Sequence, residues 1–190
     1  QSETGRLIYV GAGTSARIGV QDGAELLPTF NWPHHRVDFL IAGGASALLR
    51  AVENAEDEAD TAAAQIASMA VEPDDVVIGL AASGNTVFTN AAITSAKHAG
   101  AVTIGIANNP DTALLKTAEY PILLATGAEV IAGSTRLQAG TAQKICLNLI
   151  SNMIMVQMGF VVDGMMAKMK PNNAKLRRRR AKIDAKLSRS

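Results

Sequence analysis

Three short stretches pair glycine with small hydroxyl residues: Gly11-Ala-Gly-Thr-Ser15, Ser83-Gly-Asn-Thr86 and Gly133-Ser-Thr135. Each falls where a helical pattern begins, and the first N–H groups of a helix have no partner inside it. Hydroxyls beside such groups form a nest that holds an anion without a cation. All three stretches lack the lysine of a nucleotide P-loop, so they suit a sugar phosphate better than ATP. A dinucleotide site fits poorly. Ala16 stands in the third position of a tolerant G-x-G-x-x-G/A pattern, but no acidic residue closes a second strand about 20 residues on, and Asp38 precedes its apolar run. Two plainer readings stay open, an ordinary strand-to-helix turn and hydroxyl capping of three separate helices. Ser15 is expected at or beside the first N-cap, where its hydroxyl serves either the helix or an anion.

Bringing these loops together requires a scaffold that delivers several strand ends to one edge. Short apolar runs predict strands over 6–10, 37–42, 76–80, 102–107 and 120–124. Helices are expected after the first loop, over 45–54 and 61–70, from the Ser83 loop to residue 99, over 112–118, and over 137–158. Gly100 and Gly159 close two of them. Strands alternating with helices imply right-handed crossovers and a five-stranded parallel sheet with helices on both faces, an α/β three-layer sandwich. In such a sheet ligands lie beyond the carboxyl ends of the strands, where the three loops fall. In the longest helix, Ile145, Leu149, Met153 and Val156 recur at helical spacing beside Ile150, Ile154 and Met158. So broad an apolar arc is buried on more than one side, by the core or by a second subunit.

Composition bounds the class. Of 190 residues, 48% are hydrophobic but only 4% aromatic, which favours a helix-covered parallel sheet over an aromatic-rich sandwich. Cys146 stands alone, so no internal disulfide or cysteine zinc site is available, and a reducing, cytoplasmic setting is expected. No apolar run approaches the ~20 residues of a membrane helix, and no signal peptide is visible. His34 and His35 form no evident metal pair and read as loop residues. No metal or cofactor is expected. Charge is divided unevenly: residues 1–167 carry 8 Lys and Arg against 16 Asp and Glu, and residues 168–190 carry 10 against 1. We therefore expect one domain over 1–167 and a basic helical tail over 168–190. The tail lacks the aromatic interleaving of a single-strand binder, so a solvated helix against an acidic body is expected, not nucleic acid.

The order and spacing of these loops resemble the sugar isomerase (SIS) domain, and more narrowly the N-acetylmuramic acid 6-phosphate etherase family. The resemblance rests on Gly5-Arg-Leu-Ile-Tyr-Val-Gly-Ala-Gly-Thr-Ser-Ala-Arg17, Ile41-Ala-Gly-Gly44, Ala51-Val-Glu-Asn-Ala-Glu-Asp57, Gly79-Leu-Ala-Ala-Ser-Gly84, Gly127-Ala-Glu-Val130 and Ala139-Gly-Thr-Ala-Gln-Lys144. It implies a flavodoxin-like strand order, and a carbon–oxygen lyase of amino sugar catabolism and peptidoglycan recycling that releases N-acetylglucosamine 6-phosphate and D-lactate. It implies Glu25 and Glu56 as the catalytic pair. Glu25 would serve the departing lactate and then the entering water, and Glu56 would take the C2 proton. Gly13, Thr14, Ser15, Ser83, Gly84, Asn85 and Thr86 are implied as phosphate-site residues, and Glu129 and Ser134 as sugar contacts. A homodimer is implied, with a second subunit completing the site. A phosphosugar-binding regulatory module and a sugar phosphate isomerase remain alternatives.

Overall fold

The computed structural model describes residues 4–171 and 174–187. Short, mainly apolar runs form β1 (Leu7–Gly11), β2 (Val37–Ile41), β3 (Val76–Leu80), β4 (Val102–Ala107) and β5 (Tyr120–Leu123). They pair as one parallel sheet in the order β2-β1-β3-β4-β5. This is the expected α/β sandwich with its flavodoxin-like order. The direction of winding reverses at β1 and β3, so a crevice opens beyond their ends. Pro121 lies on edge strand β5, where a missing N–H costs no ladder bond on the solvent side.

Alternate strand residues feed two cores, one on each face. Ile8, Val10, Val77 and Ala107 pack under α3 (Ala59–Ser68), α4 (Val87–His98) and α5 (Ala113–Thr117). Leu7, Tyr9, Ile78, Leu80 and Ile106 pack under α1 (Gly13–Ala24), α2 (Leu26–Phe30) and α6 (Gln138–Gln157). Helix α1 lies unusually deep. A β-carbon on Gly23 would come within 2.6 Å of the Phe39 ring and 2.9 Å of Tyr9, so only glycine permits this approach.

The segment after β2 departs from expectation. In place of a helix over 45–54, there is one short 3-10 turn, Ala45–Leu48, then irregular chain, then a second turn, Ala55–Asp57. Gly43 and Gly44 both hold positive φ and bend the chain sharply. The Arg17 guanidinium then donates to the carbonyls of Ala47 and Leu48 at 2.8 and 3.1 Å, taking acceptors that a longer helix would need. Helix α3 begins two residues earlier than expected and buries Ala62 and Ile66. A hairpin, β6 (Val161–Val162) and β7 (Met165–Met166), follows α6, turning at Asp163-Gly164 with both residues at positive φ. The basic segment forms α7 (Ala174–Leu187), which buries Ile183 and sends Arg180 to the carbonyl of Ala167 at 2.6 Å.

Candidate active site

The loop after β1 turns at Gly13 and enters α1 at once. The helix begins at Gly13, with Ala12 as a cap that offers no side-chain hydrogen bond. Ser15 is thus the third helical residue, buried in the first turn, and not at or beside the N-cap as expected from the sequence. The first N–H groups of α1 are left for something outside the helix. Thr86 caps α4, likewise without a side-chain bond. Ahead of it, the Ser83 hydroxyl accepts the Asn85 N–H at 3.2 Å and lies 3.5 Å from the Thr86 hydroxyl. Helix capping therefore does not account for the hydroxyls of these two loops.

Glycine and asparagine set the second loop. Gly84 has φ +68°, and a β-carbon there would run into the Thr112 side chain. The Gly84 carbonyl accepts the Leu114 N–H at 2.9 Å, and the Asn85 side-chain oxygen accepts the Ala113 N–H at 3.1 Å. The loop is thus pinned to the first turn of α5, with Ser83 and Asn85 still exposed.

The third loop meets the first. A β-carbon on Gly140 would lie 3.4 Å from both Thr14 Cγ2 and the Thr135 carbonyl, so the start of α6 sits directly against the start of α1. Ser134 is half-buried in this loop, its N–H donating to the Ile131 carbonyl at 2.9 Å. Glu129 is engaged elsewhere: its two carboxylate oxygens accept the N–H groups of Gln138 and Ala139 at 2.9 and 3.0 Å. It caps α6 from a distance, the position where a negative charge best complements a helix dipole.

Glu56 reaches the same edge. Its Oε1 lies 3.4 Å from the position a β-carbon would take on Gly13, which places an exposed carboxylate against the turn that opens α1. Glu25 does not reach it. It stands just past the other end of α1, roughly 18 Å along the axis from Gly13 at the usual helical rise. There it lines a cleft of about 240 Å³ with Ile18, Gln21, Asp22, Lys144 and Asn148. Within one chain the two carboxylates stand at opposite ends of α1.

Two buried polar groups beneath the site were not singled out from the sequence. Gln143 is fully buried in α6 and donates to Asn108 Oδ1 at 3.0 Å, while Asn108 donates to the Leu124 carbonyl at 3.1 Å, tying α6 to the ends of β4 and β5. Asp22 accepts from Tyr9, Asn148 and Ser151. Burial first, and then the facing Asp22 carboxylate, push the Tyr9 phenol far above its ordinary range, so it stays a donor. A polar residue on the inward side of an apolar helix face was the available signal. Cys146 is half-buried, and its thiol is pushed up by that burial. Among the described residues, no three of His, Cys, Asp and Glu cluster to hold a metal ion, and no helix is long and apolar enough to cross a membrane.

A doubly wound parallel sheet with hydroxyl-lined, uncapped helix starts at its carboxyl edge defines an α/β module with an anion-binding edge. The chain belongs to the family of the glucokinase regulatory protein N-terminal SIS domain, whose pattern matches residues 1–97. It is 49% identical over 179 residues to the N-acetylmuramic acid 6-phosphate etherase of Deinococcus radiodurans, covering 94% of this chain and 59% of that protein. It is 46% identical over 181 residues to the etherase of Pasteurella multocida, covering 95% and 60%. The chain therefore spans about 60% of the length of these relatives, whose names match the resemblance carried by its motifs. Among solved structures, the sugar isomerase domain of the RpiR transcription factor from Sphaerobacter thermophilus superposes with a TM-score of 0.57 at 19% identity, covering 97% of this chain and 79% of that one. The Vibrio vulnificus NanR protein complexed with ManNAc-6P superposes with a TM-score of 0.58 at 10% identity, covering 97% and 56%. At these identities the structures speak for the fold alone.

Proposed function

We propose that the chain forms the core of a lyase that cleaves the D-lactyl ether of N-acetylmuramic acid 6-phosphate, in cytoplasmic recycling of cell-wall amino sugars. The observation that carries this reading is the Glu56 carboxylate set against the uncapped Gly13–Ser15 turn, in a chain nearly half identical to etherases. The residues 1–167 are taken as the phosphosugar-binding domain and 168–190 as a basic extension. Uncapped N–H groups at Gly13, Thr14 and Ser15, with Ser83, Gly84, Asn85 and Thr86, would bind the phosphate. Ser134 is offered to the sugar, and Glu129 would act mainly by holding the start of α6.

The chemistry needs an acid and a base of ordinary kind. With the sugar ring open, the C1 aldehyde acidifies the C2 hydrogen, and Glu56 removes it. The C3–oxygen bond breaks as Glu25 gives a proton to the departing lactate oxygen, leaving a C2=C3 double bond conjugated with the aldehyde. Water then adds at C3, giving one proton to Glu25, while Glu56 returns a proton to C2. The sum is one water consumed for one ether cleaved.

The separation of Glu25 from Glu56 shapes the assembly. One copy holds a phosphate site with one carboxylate, and a second copy would have to bring its own Glu25. Ile145, Leu149, Met153 and Val156 offer the means: they form an exposed stripe on α6, each at least 54% accessible, on the helix that also lines the Glu25 cleft. We therefore read the protein as a homodimer with shared sites.

Lactate release from the substrate tests this directly. Glu25→Gln and Glu56→Gln are each expected to abolish it, while a one-to-one mixture, after subunit exchange, recovers about a quarter of the parent rate, because half the dimers would then carry one intact site. Full activity in either variant overturns the assignment, and no recovery overturns the sharing. The separation also favours a second reading, a module that binds phosphosugars without turnover. Thermal stabilisation by N-acetylglucosamine 6-phosphate, with no lactate from the parent, would select it.

A further inference from the structure

Asp22 is a buried carboxylate, 6% accessible, in the last turn of α1. Both of its oxygens are occupied. Oδ2 accepts the Tyr9 hydroxyl of β1 at 2.9 Å, and Oδ1 accepts the Asn148 amide at 2.7 Å and the Ser151 hydroxyl at 3.2 Å, both from α6. Among the described residues no ion pair involves it: three neutral donors from two elements hold it. A charge is costly to bury, and this one is kept where an apolar residue would pack. Its backbone carbonyl in turn accepts the Glu25 N–H at 3.2 Å. Next to it, Gly23 lets the helix end settle onto Phe39 and Tyr9.

We infer that Asp22 is the positioning residue for Glu25, fixing the end of α1 against β1 and α6 so that the Glu25 carboxylate stands at a set height in its cleft. The inference rests on the reading of Glu25 as an acid in ether cleavage. Helices α1 and α6 run side by side in the same direction, with Thr14 against Gly140 at one end and Asp22 against Asn148 and Ser151 at the other. The start of this pair belongs to the phosphate site, and its other end is held through Asp22. A carboxylate moved by about 1 Å loses much of its competence as an acid, since proton transfer requires hydrogen-bond reach. Phosphate binding, a full helix length away, is untouched by the same movement.

The test compares Asp22→Ala with Asp22→Asn. The alanine variant removes all three bonds. The asparagine variant restores them, its oxygen accepting from Asn148 and Ser151 and its amide donating to the Tyr9 oxygen. Asp22→Ala is expected to lower kcat for lactate release at least tenfold, with KM and stabilisation by N-acetylglucosamine 6-phosphate within twofold of the parent. Asp22→Asn is expected to recover at least half of kcat. A KM that rises as kcat falls, full activity in the alanine variant, or equal loss in both variants overturns the inference. Should Asp22→Ala fail to fold, Ser151→Ala removes one donor, and a fall in kcat at constant KM is again expected. If Glu25→Gln keeps its activity, it is the acid assignment that fails; if Glu25→Gln is dead while Asp22→Ala is fully active, only the positioning role fails. In protein without turnover, hydrogen exchange reads the same relation: in the Asp22→Ala variant, residues 23–30 should exchange at least tenfold faster and residues 13–16 unchanged. Uniform acceleration or none overturns it.

Discussion

Glu129 lies nine residues before Gln138 in sequence, yet accepts its N–H at 2.9 Å and that of Ala139 at 3.0 Å. One carboxylate thereby satisfies two of the four donors that a helix start leaves open. Replacing it by alanine should cost about 1 kcal/mol of stability, as lost caps do, and more than glutamine, which keeps an acceptor. Urea unfolding of the two variants measures this. Because the loop it closes also holds Ser134, phosphosugar stabilisation should fall further in the alanine variant than in the glutamine one.

At Gly84, alanine faces two obstacles at once. The backbone is at φ +68°, and the new methyl group would meet Thr112. Gly84→Ala should destabilise the fold by about 1–3 kcal/mol and detach the Ser83 loop from α5. Thermal stabilisation by N-acetylglucosamine 6-phosphate is expected to disappear, while Asn85→Asp, which keeps an acceptor for Ala113, leaves the fold intact.

The exposed stripe of α6 predicts an association. A double substitution, Leu149→Asp with Met153→Asp, puts like charges on a surface that is apolar in the parent. Sedimentation at micromolar concentration should show a dimer for the parent and a monomer for the variant, with the far-ultraviolet circular dichroism unchanged. A parent that sediments as a monomer would rule out the proposed shared site.

At the opposite edge of the sheet, Asp75 accepts the Arg6 guanidinium at 2.6 Å and the Arg6 N–H at 2.8 Å. Burial opposes its charge, but the hydrogen bonds from Arg6 and from the Glu72 N–H outweigh that cost and hold its carboxyl below the usual range. A carboxyl whose folded pKa is depressed stabilises the protein above its unfolded pKa, about 3.9, and loses that contribution as pH falls through the folded value. The acid limb of the stability profile should therefore flatten in Asp75→Asn, read as a smaller drop in melting temperature from neutral pH to pH 3. An unchanged slope would show that other carboxylates set it.

Strand positions and the double winding were legible because apolar runs of strand length alternate with helical patterns, and that alternation leaves few topologies. The hydroxyl loops were legible for the same local reason, since glycine and small hydroxyls mark a helix start. What failed was anything set by distant partners. The segment 45–54 has helical composition, but Arg17, some thirty residues earlier, takes its carbonyls. Ser15 was expected at or beside the cap, but the turn at Gly13 puts the cap at Ala12, three residues earlier. The hold of Glu129 on the start of α6, nine residues further on, was likewise not legible. The hairpin at 161–166 was missed although Asp163-Gly164 carries its signal, because its strands are too short to show alternation.

The length of α1 has one further consequence. Its first turn offers the groups that would grip a phosphate, and its last turn sets down the carboxylate assigned to the leaving group, so recognition and reaction occupy opposite ends of one rigid rod. Changes at one end need not disturb the other. On the proposed reading, a chain that lost Glu25 and its Asp22 anchor would keep the anion-binding first turn, so a catalyst would become a sensor by a few substitutions around the end of a single helix.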